Sequence, residues 1–132
     1  FPDDDLLQVE GVIPIPHLGA STPESEENCA VMAAEQLKQF LEMGNIINSV
    51  NFPDCSMGLS ESKRIVIANR NIPAIIGSIT QVFAEAKINI KDMLNKSKGD
   101  YAYNIIDIDG DIDKTTVNKL KEIKDILMVR VI

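Results

Sequence analysis

An α+β fold is predicted for this chain, and three observations predict it. From Arg64 onward, apolar residues recur first in alternation and then at helical spacing, in the order strand, helix, strand, strand, helix, strand. Ahead of that unit, residues 22–43 carry helical spacing on their own. The length of 132 residues, 45% hydrophobic and 25% charged, suits one ordinary domain or one small domain with an appendage.

Val12-Ile13-Pro14-Ile15-Pro16 is expected to be a short strand, 12–16, because each proline fixes its own φ and pushes its predecessor out of the helical region. A long helix is expected over 22–43. Thr22 offers a hydroxyl cap, Pro23 suits a first turn, and Glu24, Glu26 and Glu27 favour the positive end of the helix dipole. Ala30, Ala34, Leu37 and Leu41 form an apolar stripe that needs a covering surface, and Gly44 supplies a left-handed stop. Periodicity is lost between Asn45 and Lys63, where Pro53, Gly58 and several serines read as a connector.

The second piece is expected to have strands at Ile65-Val66-Ile67, Ile88-Asn89-Ile90, 101–109 and 126–132. Helices are expected at 73–86, with Ile75, Ile79, Val82 and Phe83 inward, and at 114–124, with Val117, Leu120 and Ile123 inward. Right-handed crossovers turn this βαββαβ order into a four-stranded antiparallel sheet with both helices on one face, the ferredoxin-like arrangement.

Charge divides the chain as well. Residues 1–54 hold ten acids against the single base Lys38, while residues 55–132 hold ten acids and twelve bases. The overall charge of −7 repels phosphate backbones and anionic lipid, which argues against nucleic-acid and membrane partners. Cys29 and Cys55 are too few for a disulfide framework or a four-ligand zinc site and suit reduced thiols in a cytoplasm. The start Phe1-Pro2-Asp3 has neither an initiator methionine nor the pattern of a signal peptide, so the chain is read as a fragment.

Two patterns imitate ligand sites. Asp107, Asp109, Asp111 and Asp113 alternate like the first ligands of a calcium loop, but Ile112 replaces the turn glycine and Asn118 the bidentate glutamate. They are expected to serve a strand-to-helix turn with capping carboxylates, and no metal is expected. Lys98-Gly99 before Tyr101-Ala102-Tyr103 resembles an RNA-stacking motif, yet Asp100 intrudes and Val66 stands where the second ring is needed. The two tyrosines are expected to lie half-buried on the outer sheet face instead.

His17 is the only histidine, the side chain best suited to trade protons near neutral pH. Alone, in a proline-flanked turn, it reads as an ordinary surface residue. Its neighbours change that reading. Pro16-His17-Leu18-Gly19-Ala20-Ser21-Thr22, followed by Pro23-Glu24-Ser25-Glu26-Glu27-Asn28 and a helix, resembles the end of the nucleotide-binding domain in D-2-hydroxyacid dehydrogenases. The resemblance continues through Gly44 and Val50-Asn51-Phe52-Pro53 into a βαββαβ module similar to an ACT regulatory domain, the order found in the phosphoglycerate dehydrogenase branch. It covers essentially the whole chain.

The resemblance implies that 1–54 is the C-terminal remnant of the nucleotide-binding and substrate domains, ending in a segment that returns toward the substrate domain, 55–63 a linker and 64–132 an ACT domain. It also implies an NAD-dependent parent enzyme in which His17 is the general acid/base. A carboxylate partner, a substrate-orienting arginine and a G-x-G-x-x-G turn are all missing from this sequence, so the fragment alone is expected to be inactive and to bind no NAD. For the ACT domain it implies side-by-side pairing into a homodimer, with L-serine or another small amino acid held between subunits by Asn69, Asn71, Asn89 and Ile90. Side-chain amides suit such a ligand because each offers both donor and acceptor, and Asn69 and Asn71 are expected on the loop between the first strand and the first helix, with Asn89 at the start of the second strand. Ala74 and Lys87 depart from the family by standing where glycines are common, and Asn69 by standing where a histidine often serves. The same asparagines also read as plain caps and turns, and a non-catalytic amino-acid sensor with an incidental histidine is the alternative.

Overall fold

The computed structural model describes residues 4–132, with the start Phe1-Pro2-Asp3 outside it. Two compact units are present, one running through Ala34 and the other spanning Glu35–Ile132. The long helix α1, Pro23–Met43, contributes to both.

In the first unit a short 3-10 helix, Asp4–Gln8, is followed by irregular chain and the start of α1. The strand expected at 12–16 does not form. Pro14 and Pro16 have no N–H to donate, no ladder includes this segment, and Ile13 and Ile15 are 84% and 75% exposed. The start of α1 is as expected. Thr22 Oγ1 accepts from the Ser25 backbone N–H at 3.2 Å, and Glu24 and Glu26 occupy the first turn.

The second unit carries the sheet. Its elements are β1 (Lys63–Arg70), α2 (Ile75–Glu85), β2 (Ile90–Lys98), β3 (Tyr101–Ile108), α3 (Lys114–Glu122) and β4 (Ile126–Val131). The strand order β2-β3-β1-β4, antiparallel at every neighbouring pair, is the ferredoxin-like arrangement expected. One sheet face receives both helices. Ile65, Ile67, Ile106 and Ile108 from the central strands meet Ile75, Ile79 and Phe83 of α2 and Leu120 of α3. Thr116 shares the buried side of α3, where Val117 was expected; Val117 and Ile123 are only half-buried.

Strand β2 differs most from its expected bounds. It begins at Ile90 and runs to Lys98, because cross-strand pairing with β3 from Ile90↔Ile108 to Lys98↔Tyr101 holds a segment too polar to announce itself as a strand. As an edge strand it carries Lys91, Asp92, Lys96 and Lys98 exposed.

The opposite sheet face is covered too. Phe40 near the end of α1 and Ile46, Phe52, Cys55 and Met57 from the following segment pack on Val66, Ala68, Tyr103 and Ile105. Ile46 and Cys55 exchange backbone hydrogen bonds of 2.8 and 2.9 Å, closing 46–55 into a strap. The stretch read as a connector is therefore part of the core, and the compact division falls at 34/35 instead of 54/55. Burial beneath the strap pushes the Cys55 thiol up to about 11. Tyr103, expected to be half-buried, is 1% exposed for the same reason. The α1 stripe of Ala30, Ala34, Leu37 and Leu41 is exposed.

Gly44 ends α1 at φ +71, and a Cβ there would collide with Val66 Cγ1. Only glycine fits where the chain turns down onto the sheet.

Candidate functional site

The loop 71–74 joins β1 to α2 and is exposed throughout. The Asn71 N–H donates to Asp100 O at 2.9 Å, and its Nδ2 donates to Gly99 O at 3.0 Å, tying the loop to the β2–β3 turn. Among the described residues Asn71 Oδ1 has no partner. Ala74 precedes the first turn of α2 at φ +69, without a side-chain cap, and Lys87 after the helix sits at φ +57. Ala74 and Lys87, where the resemblance implies glycines, thus both occupy the left-handed backbone that favours glycine.

Asn69 is not on this loop. It lies inside β1, fully buried, between Ala102 and Ile126 in the sheet register. Its Nδ2 donates to Arg70 O at 2.7 Å and its Oδ1 accepts from Asn104 Nδ2 at 2.8 Å, so both ends of the amide are engaged. Asn104 Oδ1 accepts in turn from Asn95 Nδ2 at 2.7 Å. Sequence reading missed this ladder, although the asparagines fall at cross-strand spacing on the helix-facing side.

Asn89 precedes β2 and is exposed, its Nδ2 donating to Asp109 Oδ2 at 2.8 Å and its carbonyl accepting from Asp109 N at 2.9 Å. Ile90 packs half-buried against the helix-facing core. The structure does not bring these two to Asn71 within one chain. Arg70 pairs with Tyr101 at one end of β3 and Ile90 with Ile108 at the other, roughly 23 Å apart by strand rise.

The four alternating aspartates go separate ways. Asp113 caps α3 by accepting from Thr116 N at 2.7 Å, Asp111 faces Lys63 at 3.6 Å, and Asp109 faces Lys91 at 3.6 Å. The Thr116 hydrogen bonds hold the Asp113 carboxyl below its usual range. Asp107 is buried in a two-pronged pair with Arg64, Nε to Oδ1 at 2.7 Å and Nη2 to Oδ2 at 2.8 Å. Burial pushes the Asp107 carboxyl up, but the bonds and charge of Arg64, helped by Ser60 and Lys91, outweigh it and hold it low. A polar cleft of about 450 Å³ opens above this pair between Met57–Ser62 and Lys91.

Arg64 also reaches the end of α1, donating Nη1 to Met43 O at 3.1 Å. Tyr103 donates its hydroxyl to Gly44 O at 2.8 Å, and Arg130 donates Nη2 to Phe40 O while its guanidinium lies 4.4 Å from the Phe40 ring centre. Three strands thereby fasten the negative end of one helix dipole. Phe52 packs edge-on against the buried Tyr103 ring and 5.5 Å from the Tyr101 ring, which also carries the Arg70 guanidinium 4.9 Å from its centre.

His17 lies exposed in the irregular chain before α1. Among the described residues the loop that joins a strand to a helix at 71–74 contains no glycine. No described helix is long and apolar enough to cross a membrane.

No family model matches the chain. It is 31% identical to D-3-phosphoglycerate dehydrogenase of Haemophilus influenzae over 96% of its own length and 31% of that protein's. Against the Escherichia coli enzyme of the same name it is 31% identical over 82% of its length and 26% of that protein's. Among solved structures, the ACT domain from GTP pyrophosphokinase of Chlorobium tepidum is similar at a TM-score of 0.45 and 20% identity, covering 53% of this chain and 95% of that one. Along nearly all of its length this chain is a relative of the D-3-phosphoglycerate dehydrogenases, and it spans about a third or less of theirs.

Proposed function

We propose that this chain is the effector-sensing and pairing part of an NAD-dependent D-3-phosphoglycerate dehydrogenase, the enzyme of serine synthesis that oxidises 3-phosphoglycerate to 3-phosphohydroxypyruvate. The observation that carries this reading is the 31% identity sustained over 96% of the chain. His17 would take the substrate hydroxyl proton in the parent enzyme, since a neutral imidazole is basic enough at working pH. Cofactor and substrate charge are held by residues that this chain does not contain, so the chain alone turns over no substrate. Replacing His17 with alanine in a complete parent lowers kcat by ~10²–10⁴-fold; a loss confined to KM would reassign the residue to binding.

The effector is L-serine or another small amino acid. Its carboxylate suits the exposed N-terminus of α2, and its ammonium suits Asn71 Oδ1. Asn69 supports the loop from beneath. Because Asn89 and Ile90 lie at the far end of the sheet, they serve this site only from a second copy, paired antiparallel along β2. That pairing makes the protein a homodimer, and the metabolic role proposed for the parent enzyme places it in the cytoplasm. Titration calorimetry with L-serine tests it, Asn71→Ala and Asn89→Ala each weakening binding by about 1–3 kcal/mol. No heat at millimolar serine, or a light-scattering mass of one chain, would refute it.

A further inference from the structure

Among the sheet residues buried on the helix-facing side, Asn69 and Asn104 are the polar ones, and with Asn95 they form a row of amides that runs from edge to loop. Asn95 on β2 donates to Asn104 on β3, Asn104 donates to Asn69 on β1, and Asn69 donates to Arg70 O. Asn69 and Asn104 are both completely buried. Burying an amide is unfavourable unless its hydrogen bonds are met, so each member of the row constrains the next.

The direction of the row is fixed chemically. A carbonyl can only accept, so Arg70 O demands the NH2 of Asn69, which turns Asn69 Oδ1 toward β3. Asn104 presents its NH2 to Asn69 Oδ1 at 2.8 Å and to Ile67 O at 3.4 Å, both acceptors, and its oxygen to Asn95, which must donate. Arg70 O also accepts from Ile72 N at 2.9 Å, the bond that closes the tight turn carrying Asn71. The row therefore ends on the atom that shapes loop 71–74.

We propose that Asn95, Asn104 and Asn69 form a polarity-fixed relay through which the β2 edge sets the conformation of loop 71–74, making Asn95 a positioning residue for whatever that loop binds. The effector part of this inference rests on the reading given above; the relay itself does not. A donor at position 95 keeps the row in register. An acceptor there forces Asn104 to turn over, then Asn69, and leaves Asn69 Oδ1 facing Arg70 O, acceptor against acceptor.

Asn95→Asp and Asn95→Ala separate polarity from packing. Asn95 is exposed at the sheet edge, so both variants retain the fold. Amide NMR of the 132-residue chain, without ligand, reads the Asn71 and Ile72 backbone N–H and the Asn69 side-chain NH2. The expected result is that Asn95→Asp moves all three signals and speeds exchange at Ile72, while Asn95→Ala perturbs only β2 and β3, because water satisfies Asn104 Oδ1. Equal effects of the two variants at Ile72, or none from Asn95→Asp, would overturn the relay. With L-serine, Asn95→Asp is expected to weaken binding about tenfold and Asn95→Ala about twofold or less. If the unaltered chain binds no serine, the effector reading fails, and the ligand-free spectra still decide the relay.

Discussion

On its helix-facing side the sheet meets α2 and α3 through isoleucines, Phe83 and Leu120; on its outer side it meets irregular backbone from 44–57 and the last turn of α1. The first surface is closed by shape and apolar area. The second adds an aromatic cluster, a buried ion pair and side-chain bonds to helix carbonyls. A regular element can bury one face by periodic apolar residues alone, whereas irregular backbone carries polar groups that need named partners.

Four substitutions sharpen that contrast. Phe83→Ala, on the helix side, is expected to cost about 4 kcal/mol in denaturant unfolding, since it combines lost burial with a cavity. Asp107→Asn, on the outer side, is expected to cost about 3 kcal/mol because it leaves Arg64 charged and buried. Its sign with pH is set by the lowered carboxyl. The pair's contribution is fully present above the unfolded value near 4 and is lost as pH falls through the folded one. Melting temperature should therefore fall with acid more steeply in the unaltered chain than in Asp107→Asn. A cost under 1 kcal/mol would mean that the strap does not need the pair.

Tyr103→Phe removes only the bond to Gly44 O and is expected to cost about 1–2 kcal/mol in the same unfolding assay, with the ring still packed. Ala74→Gly comes last. Relief of left-handed strain exceeds the added freedom of the unfolded chain, for a net gain below about 1 kcal/mol in thermal melts. A loss would show that the Ala74 methyl has contacts of its own.

The helix-facing half of this architecture was legible because it is written in local periods: Ile75, Ile79 and Phe83 recur at helical spacing, and Ile65 and Ile67 alternate. The outer half was not. Ile46, Phe52 and Cys55 have no common period, and Arg64 beside Asp107 becomes visible only once β1 and β3 are placed in register. The end of β2 was hidden for a related reason, as an edge strand is held by its neighbour more than by its composition. Among the candidate residues, Asn71 lies on its loop as expected, while Asn69, expected on the same loop, lies inside β1, which runs to Arg70 instead of ending at Ile67. The antiparallel register that buries it is a non-local fact.

The fastening of Phe40 O, Met43 O and Gly44 O bears on where this protein can be divided and recombined. A graft or fusion that begins at the first residue of β1 would carry away Arg64, Tyr103 and Arg130 without the carbonyls they hold, and would uncover Val66 and Ile105. The transplantable cassette is Glu35–Ile132, about two and a half helical turns and a strap longer than the βαββαβ pattern alone suggests. A chimaera joined at Glu35 keeps the three carbonyls together with the side chains that hold them, so the end of α1 travels as part of the cassette's own core.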